Sequence, residues 1–237
     1  MSPESMEALE RDGYLMLRAV FSAGEAEEMR ASLEEALARG AAILGAEGAM
    51  YAARNVLSAW PRAAEVVRRE SMRAALAGAL GPGFGLVRGL YFDKPPGQSW
   101  ALPWHKDVTL AVRDNRLPSA HFAKPTVKAG VPHVEGPVWL LERMLTARLH
   151  LDDVTDENGP LKVVPGSHRS GKTLTLVDAP ITTLHAKAGD VLLIRPLVAH
   201  CSNRSRAGTE RHRRILHLEF AASSELPDGY AWHDYWR

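Results

Sequence analysis

The chain has 237 residues, of which 46% are hydrophobic and 24% charged, and its formal net charge is +1. This composition is typical of a globular protein and excludes a mostly disordered chain, a collagen-like chain and a coiled-coil rod. The near-neutral charge leaves no electrostatic footprint for nucleic acid, and no apolar run approaches the ~18 residues of a membrane span. The single cysteine, Cys201, excludes an intrachain disulfide and a cysteine-rich zinc site. The first 20 residues lack a basic, apolar leader, so we expect a cytoplasmic protein with neither a nucleic-acid nor a membrane partner.

Residues 1–82 predict a mostly helical flank. Ser22 and Glu25 have the spacing of a capping box at a helix start, and Pro61 is placed to open another helix. The helices are predicted over residues 23–39 and 62–80, and a short apolar strand is predicted over residues 14–20.

Residues 83–222 predict a β-rich core. Segments of strand length follow one another with Gly, Pro and Asn turns between them, which is typical of a sandwich or barrel. The predicted strands are Phe84–Phe92, Trp104–Val112, Met144–Leu151, Leu161–Val164, Ile181–Thr183, Val191–Ile194 and Ile215–Phe220. We expect one domain over residues 1–237, with a tail over 223–237.

The segment Arg113–Gly136 shows little periodicity and is long for a plain turn, so we interpret it as an irregular, mobile lid. Its basic side chains outnumber its acidic ones, which favours a substrate with a negative group.

Four His-x-acid steps occur in the sequence, where composition predicts about one by chance. Residues i and i+2 of a strand point to one side, so each step offers two metal ligands of the kind that iron oxygenases use. The steps are His105/Asp107, His133/Glu135, His150/Asp152 and His217/Glu219. Spacing does not choose among them.

Sequence context separates the four steps in part. The pair at His105 opens a strand, where a ligand faces a cavity mouth. The pair at His150 runs into an acidic turn, so we expect this histidine to have a packing role. The pair at His133 lies among Pro and Gly residues, so we expect it to be solvated. The pair at His217 forms a polar stripe that lines a pocket or faces solvent. His168 is expected to organise a turn.

A cluster of arginines follows His200. Arg211, Arg213 and Arg214 stand just before the last predicted strand. A guanidinium there binds a dicarboxylate through two parallel hydrogen bonds, or the cluster is a solvated charge run.

Together these segments resemble the phytanoyl-CoA dioxygenase family of iron(II)/2-oxoglutarate-dependent oxygenases. The resemblance covers about residues 84 to 221, in the family's order, and is similar to the short bacterial members of unassigned substrate. It is carried by Trp104–Asp107, Asp152–Arg169, His200–Ser202 and Arg213–Leu216, and the most specific run holds Asn158-Gly159-Pro160-Leu161 and Pro165-Gly166-Ser167-His168.

The resemblance implies a double-stranded β-helix, a jelly-roll or cupin-like barrel, with helices outside it. It implies one Fe(II) held by His105, Asp107 and His200, with 2-oxoglutarate and O2 as cosubstrates. The implied reaction is hydroxylation of a C–H bond of a small molecule, because related halogenases lack the carboxylate that Asp107 supplies.

The contacts of 2-oxoglutarate follow from the same resemblance. The family places an arginine after His200 and a hydroxyl two residues after it, here Ser202. Matching the strand selects Arg213, whereas counting from His200 selects Arg211; we favour the strand, because loops absorb insertions. Lys94 is a further candidate contact or a surface lysine.

Two alternatives remain open at the level of sequence. Two histidines and one aspartate also suit zinc, so a non-redox enzyme on the same barrel is possible. A non-catalytic ligand-binding jelly roll is the other. No residue selects the substrate or the oligomeric state.

Overall fold

A computed structural model describes residues 2–40, 42–44 and 50–237 of the chain. The helices are α1 (Pro3–Asp12), α2 (Ala23–Ala38), α3 (Val56–Ala59), α4 (Ala63–Arg68), α5 (Glu70–Leu80) and α6 (Val138–Leu141), with a 3-10 helix at Ser167–Ser170. The strands are β1 (Tyr14–Leu17), β2 (Ala42–Leu44), β3 (Met50–Ala53), β4 (Gly85–Asp93), β5 (Leu102–His105), β6 (Thr109–Ala111), β7 (Ala123–Lys128), β8 (Val131–Glu135), β9 (Met144–His150), β10 (Leu161–Val163), β11 (Thr182–Leu184), β12 (Val191–Ile194), β13 (His200–Ser202) and β14 (Arg214–Ala221).

Within the described residues these strands form three antiparallel sheets. The large sheet has the order β1-β12-β9-β14-β4-β3-β2, the small sheet β11-β10-β13-β5, and the third sheet β6-β8-β7. Leu161 and Val163 of the small sheet pack against Leu192 and Ile194 of the large one, so the two sheets face each other. The predicted β-rich jelly roll with flanking helices is confirmed.

Strand β9 shows how the large sheet divides outside from inside. Leu145, Ala147 and Leu149 join the core that the helices cover. Successive side chains of a strand alternate between faces, so Arg148 and His150 point into the barrel instead. Both are buried, which gives the barrel a polar lining.

The N-terminal flank agrees with the prediction in part. The Ser22 hydroxyl accepts from the Glu25 N–H, and the Glu25 carboxylate accepts from the Ser22 N–H, so the capping box forms as expected. The predicted helix over residues 62–80 is instead two helices, because Arg69 is extended at ψ 123°. This break directs the Arg69 guanidinium onto the Phe21 ring and the Glu25 carboxylate. The flank also contributes β1, β2 and β3 to the large sheet, which the prediction of a mostly helical region understated.

The predicted strand Trp104–Val112 is interrupted. Its first part, β5, belongs to the small sheet, and its second part, β6, belongs to the third sheet. Between them the Asp107 N–H donates to the carbonyl of Pro196 at 2.9 Å, a bond outside either sheet. The interruption therefore lies at a predicted metal ligand.

The segment predicted to be an irregular lid contains a β-hairpin. Strands β7 and β8 pair around Ala129 and Gly130, which both have positive φ, at 48° and 78°. Two such residues are the hallmark of the tight turn that matches strand twist. Because an alanine occupies the first of these positions, the sequence lacks the Asn-Gly or Gly-Gly pair that usually identifies such a turn. The Asn55 side chain donates to the Ala129 carbonyl and fixes the turn on the flank.

Residues 223–237 pack against strand β4. Trp236 and Leu86 exchange two backbone hydrogen bonds, and the Tyr235 ring covers Gly85 so closely that a Cβ there would lie 2.4 Å from it. The division into flank, core and tail stays a prediction. None of the described helices combines the length and the apolar character needed to cross a bilayer.

Candidate active site

His105, Asp107 and His200 come together at one end of the barrel. His105 lies directly opposite His200 in the antiparallel pairing of β5 with β13. One ligand atom from each of the three residues lies within 4.8 Å of the others. The Asp107 carboxylate is 3.8 Å from His105 Nε2 and 3.7 Å from His200 Nε2. The pair that context favoured is therefore the pair that meets His200.

Hydrogen bonds fix the same tautomer in both histidines. His105 Nδ1 lies 2.7 Å from the Pro103 carbonyl, and His200 Nδ1 lies 2.9 Å from the Val198 carbonyl. A carbonyl only accepts, so each Nδ1 carries the proton and each Nε2 presents a lone pair toward Asp107. Partners of this kind orient the imidazoles of metal sites.

The protonation states also suit metal binding. Burial lowers the pKa of His200 to about 4, so the ring is neutral at neutral pH. Burial acts to raise the pKa of Asp107, but the neighbouring His200, His217 and His105 outweigh it and the pKa falls below its ordinary value. His200 thus presents a lone pair and Asp107 a negative charge to the centre of the cluster.

Ser167 fastens both segments that carry these residues. Its hydroxyl accepts from the Ala199 N–H at 2.8 Å, next to His200, and its carbonyl accepts from Lys106 Nζ at 2.7 Å. Lys106 lies between His105 and Asp107 in the chain and also donates to Ser170 and Gly171. We call the run Pro165–His168 the Ser167 clamp, because Ser167, rather than His168, bonds to the two segments that carry the cluster.

Two basic side chains lie side by side deeper in the barrel. Lys94 and Arg213 exchange backbone hydrogen bonds of 3.1 and 3.3 Å at the end of the β4–β14 pairing. Residues opposite each other in such a pair share a face, so both side chains enter the interior. Their exposures are 0% and 5%.

Among the described residues, these two side chains donate hydrogen bonds only to neutral oxygens, and Lys94 also lies 5.6 Å from the centre of the Trp100 ring. Lys94 Nζ donates to Ser202 Oγ at 3.0 Å and to the Asn203 carbonyl at 2.5 Å, while Arg213 Nη1 donates to the Gly159 carbonyl at 2.9 Å. Arg213 Nε is buried without a partner. An unpaired buried charge is costly, which is the mark of a place built for an anion.

The pKa values record this crowding of positive charge. Burial, together with the charges of Arg213 and Arg148, lowers the pKa of Lys94 to about 6. Burial and the charge of Arg148 lower the pKa of Arg213 to about 9. An anionic ligand would raise the pKa values of both side chains toward their ordinary values.

The Asn158-Gly159 turn makes the room for Lys94. Gly159 has a φ of 70°, and a Cβ on it would lie 3.2 Å from Lys94 Nζ and 2.4 Å from the Asn203 carbonyl oxygen. Asn158 is fully buried and donates to the carbonyls of Asp153 and His212, which ties the turn to the segment before Arg213. The most specific run of the sequence thus shapes the cationic pocket.

The other two arginines of the cluster lie elsewhere. Arg211 has a half-exposed side chain and pairs with Glu157 at 3.0 Å. Arg214 binds Asp152 and Glu34 outside the barrel. The structure brings Arg213, Ser202 and Lys94 together and leaves Arg211 outside, and two of the three arginines are not a solvated run.

A buried polar chain crosses the barrel interior, and the sequence analysis missed most of it. Arg148 Nη1 donates to His217 Nδ1 at 3.1 Å, His217 Nε2 donates to Glu219 at 3.2 Å, and Arg88 donates to Glu219. His217 and Glu219 therefore line the interior rather than facing solvent. The alternation of Thr146, Arg148 and His150 with apolar residues was the signal that could have revealed Arg148.

The remaining His-x-acid steps, at His150 and His133, lie outside the cluster of His105, Asp107 and His200. His150 is buried, and its Nδ1 contacts the Asp190 carbonyl, which agrees with a packing role. The expectation that His133 is solvated is wrong, since it is 3% exposed within the β8 strand of the third sheet. Its partner in the step, Glu135, binds Lys124 and Lys172.

The site fits a metal ion and a dicarboxylate together. Two imidazole nitrogens and one carboxylate on one side of a metal leave positions free, the donor set of non-heme iron oxygenases. Ser202 stands two residues after His200 on β13 and accepts from Lys94. The pocket of Lys94 and Arg213 therefore adjoins the cluster of His105, Asp107 and His200.

Comparison with known proteins decides the class. The profile described as phytanoyl-CoA dioxygenase matches residues 9–213, which is most of the chain. The chain belongs to the phytanoyl-CoA dioxygenase family. It is thus an enzyme of the iron- and 2-oxoglutarate-dependent class. A comparison with curated proteins finds no match.

Solved structures share the fold of this phytanoyl-CoA dioxygenase family member. SnoK, a non-heme alpha ketoglutarate dependent carbocyclase from nogalamycin biosynthesis, has a TM-score of 0.69 and 20% identity over 97% of this chain and 89% of its own. EctD from S. alaskensis has a TM-score of 0.71 and 20% identity over 93% and 77%. HygX from Streptomyces hygroscopicus, solved with nickel and 2-oxoglutarate bound, has a TM-score of 0.63 and 20% identity over 99% and 98%.

The Ser167 clamp yields a prediction about metal affinity. Ser167→Ala leaves the Ala199 N–H without its acceptor and loosens the start of β13. Loss of such a supporting bond lowers metal affinity by about ten-fold or more. Ser170→Ala is the matched control, because it removes one of three Lys106 acceptors and leaves Ala199 bonded. Anaerobic iron titration of both variants measures the difference, and equal affinities would contradict the clamp.

Proposed function

We propose that the enzyme hydroxylates a C–H bond of a small molecule, with His105, Asp107 and His200 as the iron ligands. The observation that carries the proposal is the pair of buried basic side chains, Lys94 and Arg213, which lie beside this cluster and contact no carboxylate of the described residues. A zinc hydrolase has no need of such a pocket, whereas a dicarboxylate cosubstrate does.

When bound, iron and 2-oxoglutarate supply an oxidant from O2, with succinate and CO2 formed as one oxygen atom enters the substrate. The protein orients both components. Arg213 and Ser202 bind the distal carboxylate, and Lys94 adds a third donor. The bonds of His105 and His200 to backbone carbonyls hold the two imidazoles in place.

Asp107 supports hydroxylation over transfer of a halide. Its carboxylate occupies the third protein position and adds a negative charge next to both histidines. A chloride would have to take that position. The chain therefore keeps the ligand set that leaves oxygen transfer as the outcome.

The first prediction from this proposal concerns the three ligands. His105→Ala, Asp107→Ala and His200→Ala should each weaken iron binding by at least ~100-fold, since even supporting residues change it by 10–100-fold. Each variant should also lose succinate formation from 2-oxoglutarate. Iron titration and a succinate assay measure the two effects.

The matched control for the ligands is His185→Ala. His185 also contacts a carboxylate, that of Asp156 at 2.8 Å, but both are exposed. This variant should keep iron and turnover. If it loses iron as the others do, or if the unsubstituted enzyme makes no succinate, the proposal is wrong.

The second prediction separates the two arginines. Arg213→Ala removes a buried partner of the cosubstrate, a loss of about 3–5 kcal/mol. The dissociation constant of 2-oxoglutarate should therefore rise by about a hundred-fold or more. Arg211→Ala, which removes an exposed ion pair, should leave it within about two-fold. Calorimetry on the iron-loaded variants checks the ranking, and the reverse order would assign the role to Arg211.

The third prediction concerns protons. With a pKa of about 6, Lys94 is mostly neutral at pH 7.5. A bound carboxylate raises this pKa, so binding of 2-oxoglutarate takes up a proton, and affinity falls as the pH rises above 6.

Calorimetry in buffers of different ionisation enthalpy measures this uptake. Lys94→Met should abolish it, whereas Lys187→Met, which changes an exposed lysine bound to Asp153, should retain it. Binding that exchanges no proton in the unsubstituted enzyme would contradict the role of Lys94.

A further inference from the structure

A second positively charged region lies at the other end of the polar chain, where a narrow pocket opens beside β4. Arg54, Arg88 and His133 are among its lining residues. Nothing in the proposed reaction uses it. Resting on the proposed function, we propose that the region binds an anionic head group of the prime substrate, a carboxylate or a phosphate, through Arg54 and Lys128.

Arg54 stands at the end of β3 and reaches the pocket from the flank. Among the described residues, no carboxylate lies within ion-pair distance of its guanidinium, and it makes no side-chain hydrogen bond. Burial, reinforced by the charge of Arg88, lowers its pKa from the ordinary value. A cation held half-buried next to another cation is unfavourable until an anion arrives.

Lys128 approaches from the hairpin of the third sheet. Its ammonium lies 3.5 Å from the Thr109 hydroxyl, two residues from Asp107, and within the described chain it has no ion-pair partner. Burial and the charges of Arg88 and Arg54 lower its pKa, while Asp107 and Glu219 act in the opposite direction. The Asn55 side chain, next to Arg54, donates to the carbonyl of Ala129, next to Lys128, at 3.1 Å, so the two segments that carry these cations are in contact.

His133 adds an unused acceptor to the same pocket. Its Nδ1 lies 2.9 Å from the Val131 carbonyl and so carries the proton. Nε2 is buried and has no partner in the described part of the chain. Burial lowers the pKa of His133 to about 4, so Nε2 holds a lone pair at neutral pH. His133 Nε2 would accept a hydrogen bond from a donor of the ligand that adjoins the anionic head group.

The carboxylates near this region leave Arg54 and Lys128 free. Glu219 binds Arg88, and Glu135, on the face of β8 that carries His133, binds two other lysines. Asp234 also lines the pocket but contacts neither cation as an ion pair. The pocket itself has a volume of about 10 Å³, room for one water-sized group, so it admits one oxygen atom of the head group rather than the whole group.

The location suits a substrate that spans from the pocket to the metal. Arg88 lies opposite Glu219 in the β4–β14 pairing, on the face that points into the barrel. Its charge, like that of Lys128, acts on Asp107. A head group bound here leaves the rest of the molecule directed along the interior toward the iron ligands.

The test uses matched probes on the iron-loaded enzyme with saturating 2-oxoglutarate. Hexanoate and hexyl phosphate carry the two anionic groups, and hexanamide and hexanol are their neutral counterparts. Anaerobic calorimetry measures binding, and succinate formation under air measures stimulation of turnover. At least one anionic probe should bind about ten-fold or more tightly than its neutral counterpart, and the stronger of the two identifies the head group.

Variants locate the binding. The double substitution Arg54→Gln with Lys128→Met should remove the preference for the anionic probe, while basal succinate formation from 2-oxoglutarate persists. The control double substitution, Arg62→Gln with Lys187→Met, changes two exposed cations that already have carboxylate partners and should keep the preference.

The outcomes distinguish this inference from the proposed function. Equal binding of anionic and neutral probes, or a preference that survives Arg54→Gln with Lys128→Met, overturns the head-group site. Absence of succinate formation by the unsubstituted enzyme overturns the proposed function instead, and the calorimetric comparison still decides whether the anion site exists.

Discussion

The pairing of β4 with β14 is the constraint on which the site depends. It sets Lys94 opposite Arg213 and Arg88 opposite Glu219, all on the face turned into the barrel. Shifting the register by one residue would send these side chains out to the helices and bring apolar ones in. The helices hold the register, since Leu216, Leu218 and Phe220 pack beneath them on the other face.

Two regions hold basic side chains without a carboxylate partner among the described residues. Lys94 and Arg213 donate only to neutral oxygens in one region, and Arg54 and Lys128 have no ion-pair partner in the other. The polar chain between them contains one carboxylate, Glu219. Lys94, Arg213 and Lys128 each donate to a neutral oxygen, whereas Arg54 makes no side-chain hydrogen bond among the described residues. Anionic ligands would therefore stabilise this interior.

Sequence reasoning succeeded where chemistry is local and failed where it depends on distant pairing. The His105-Lys106-Asp107 step and the Ser22 capping box are short-range patterns, and both lie as expected. The preference for Arg213 over Arg211 depended on the strand register, which the aliphatic pattern of β14 reveals. The structure buries Arg213 and leaves Arg211 half-exposed, while the role of Arg213 stays a prediction. The roles of Arg148, Arg54 and Lys128 depend on which strands become neighbours, and a hairpin turn with alanine in a left-handed position gives almost no signal. The interruption between β5 and β6 arises from a bond to Pro196, far along the chain.

The position of β5 has a consequence for the stability of the protein itself. Among the strands that the structure describes, β5 lies at the edge of the small sheet and pairs only with β13, through a register that shifts near Ser202. Edge strands are the parts of a sheet that open most easily. A metal bound by His105 and His200 would cross-link this edge to its neighbour, and ligands that bind only the folded chain stabilise it by mass action. The ion would therefore stabilise the folded barrel as well as serve its chemistry.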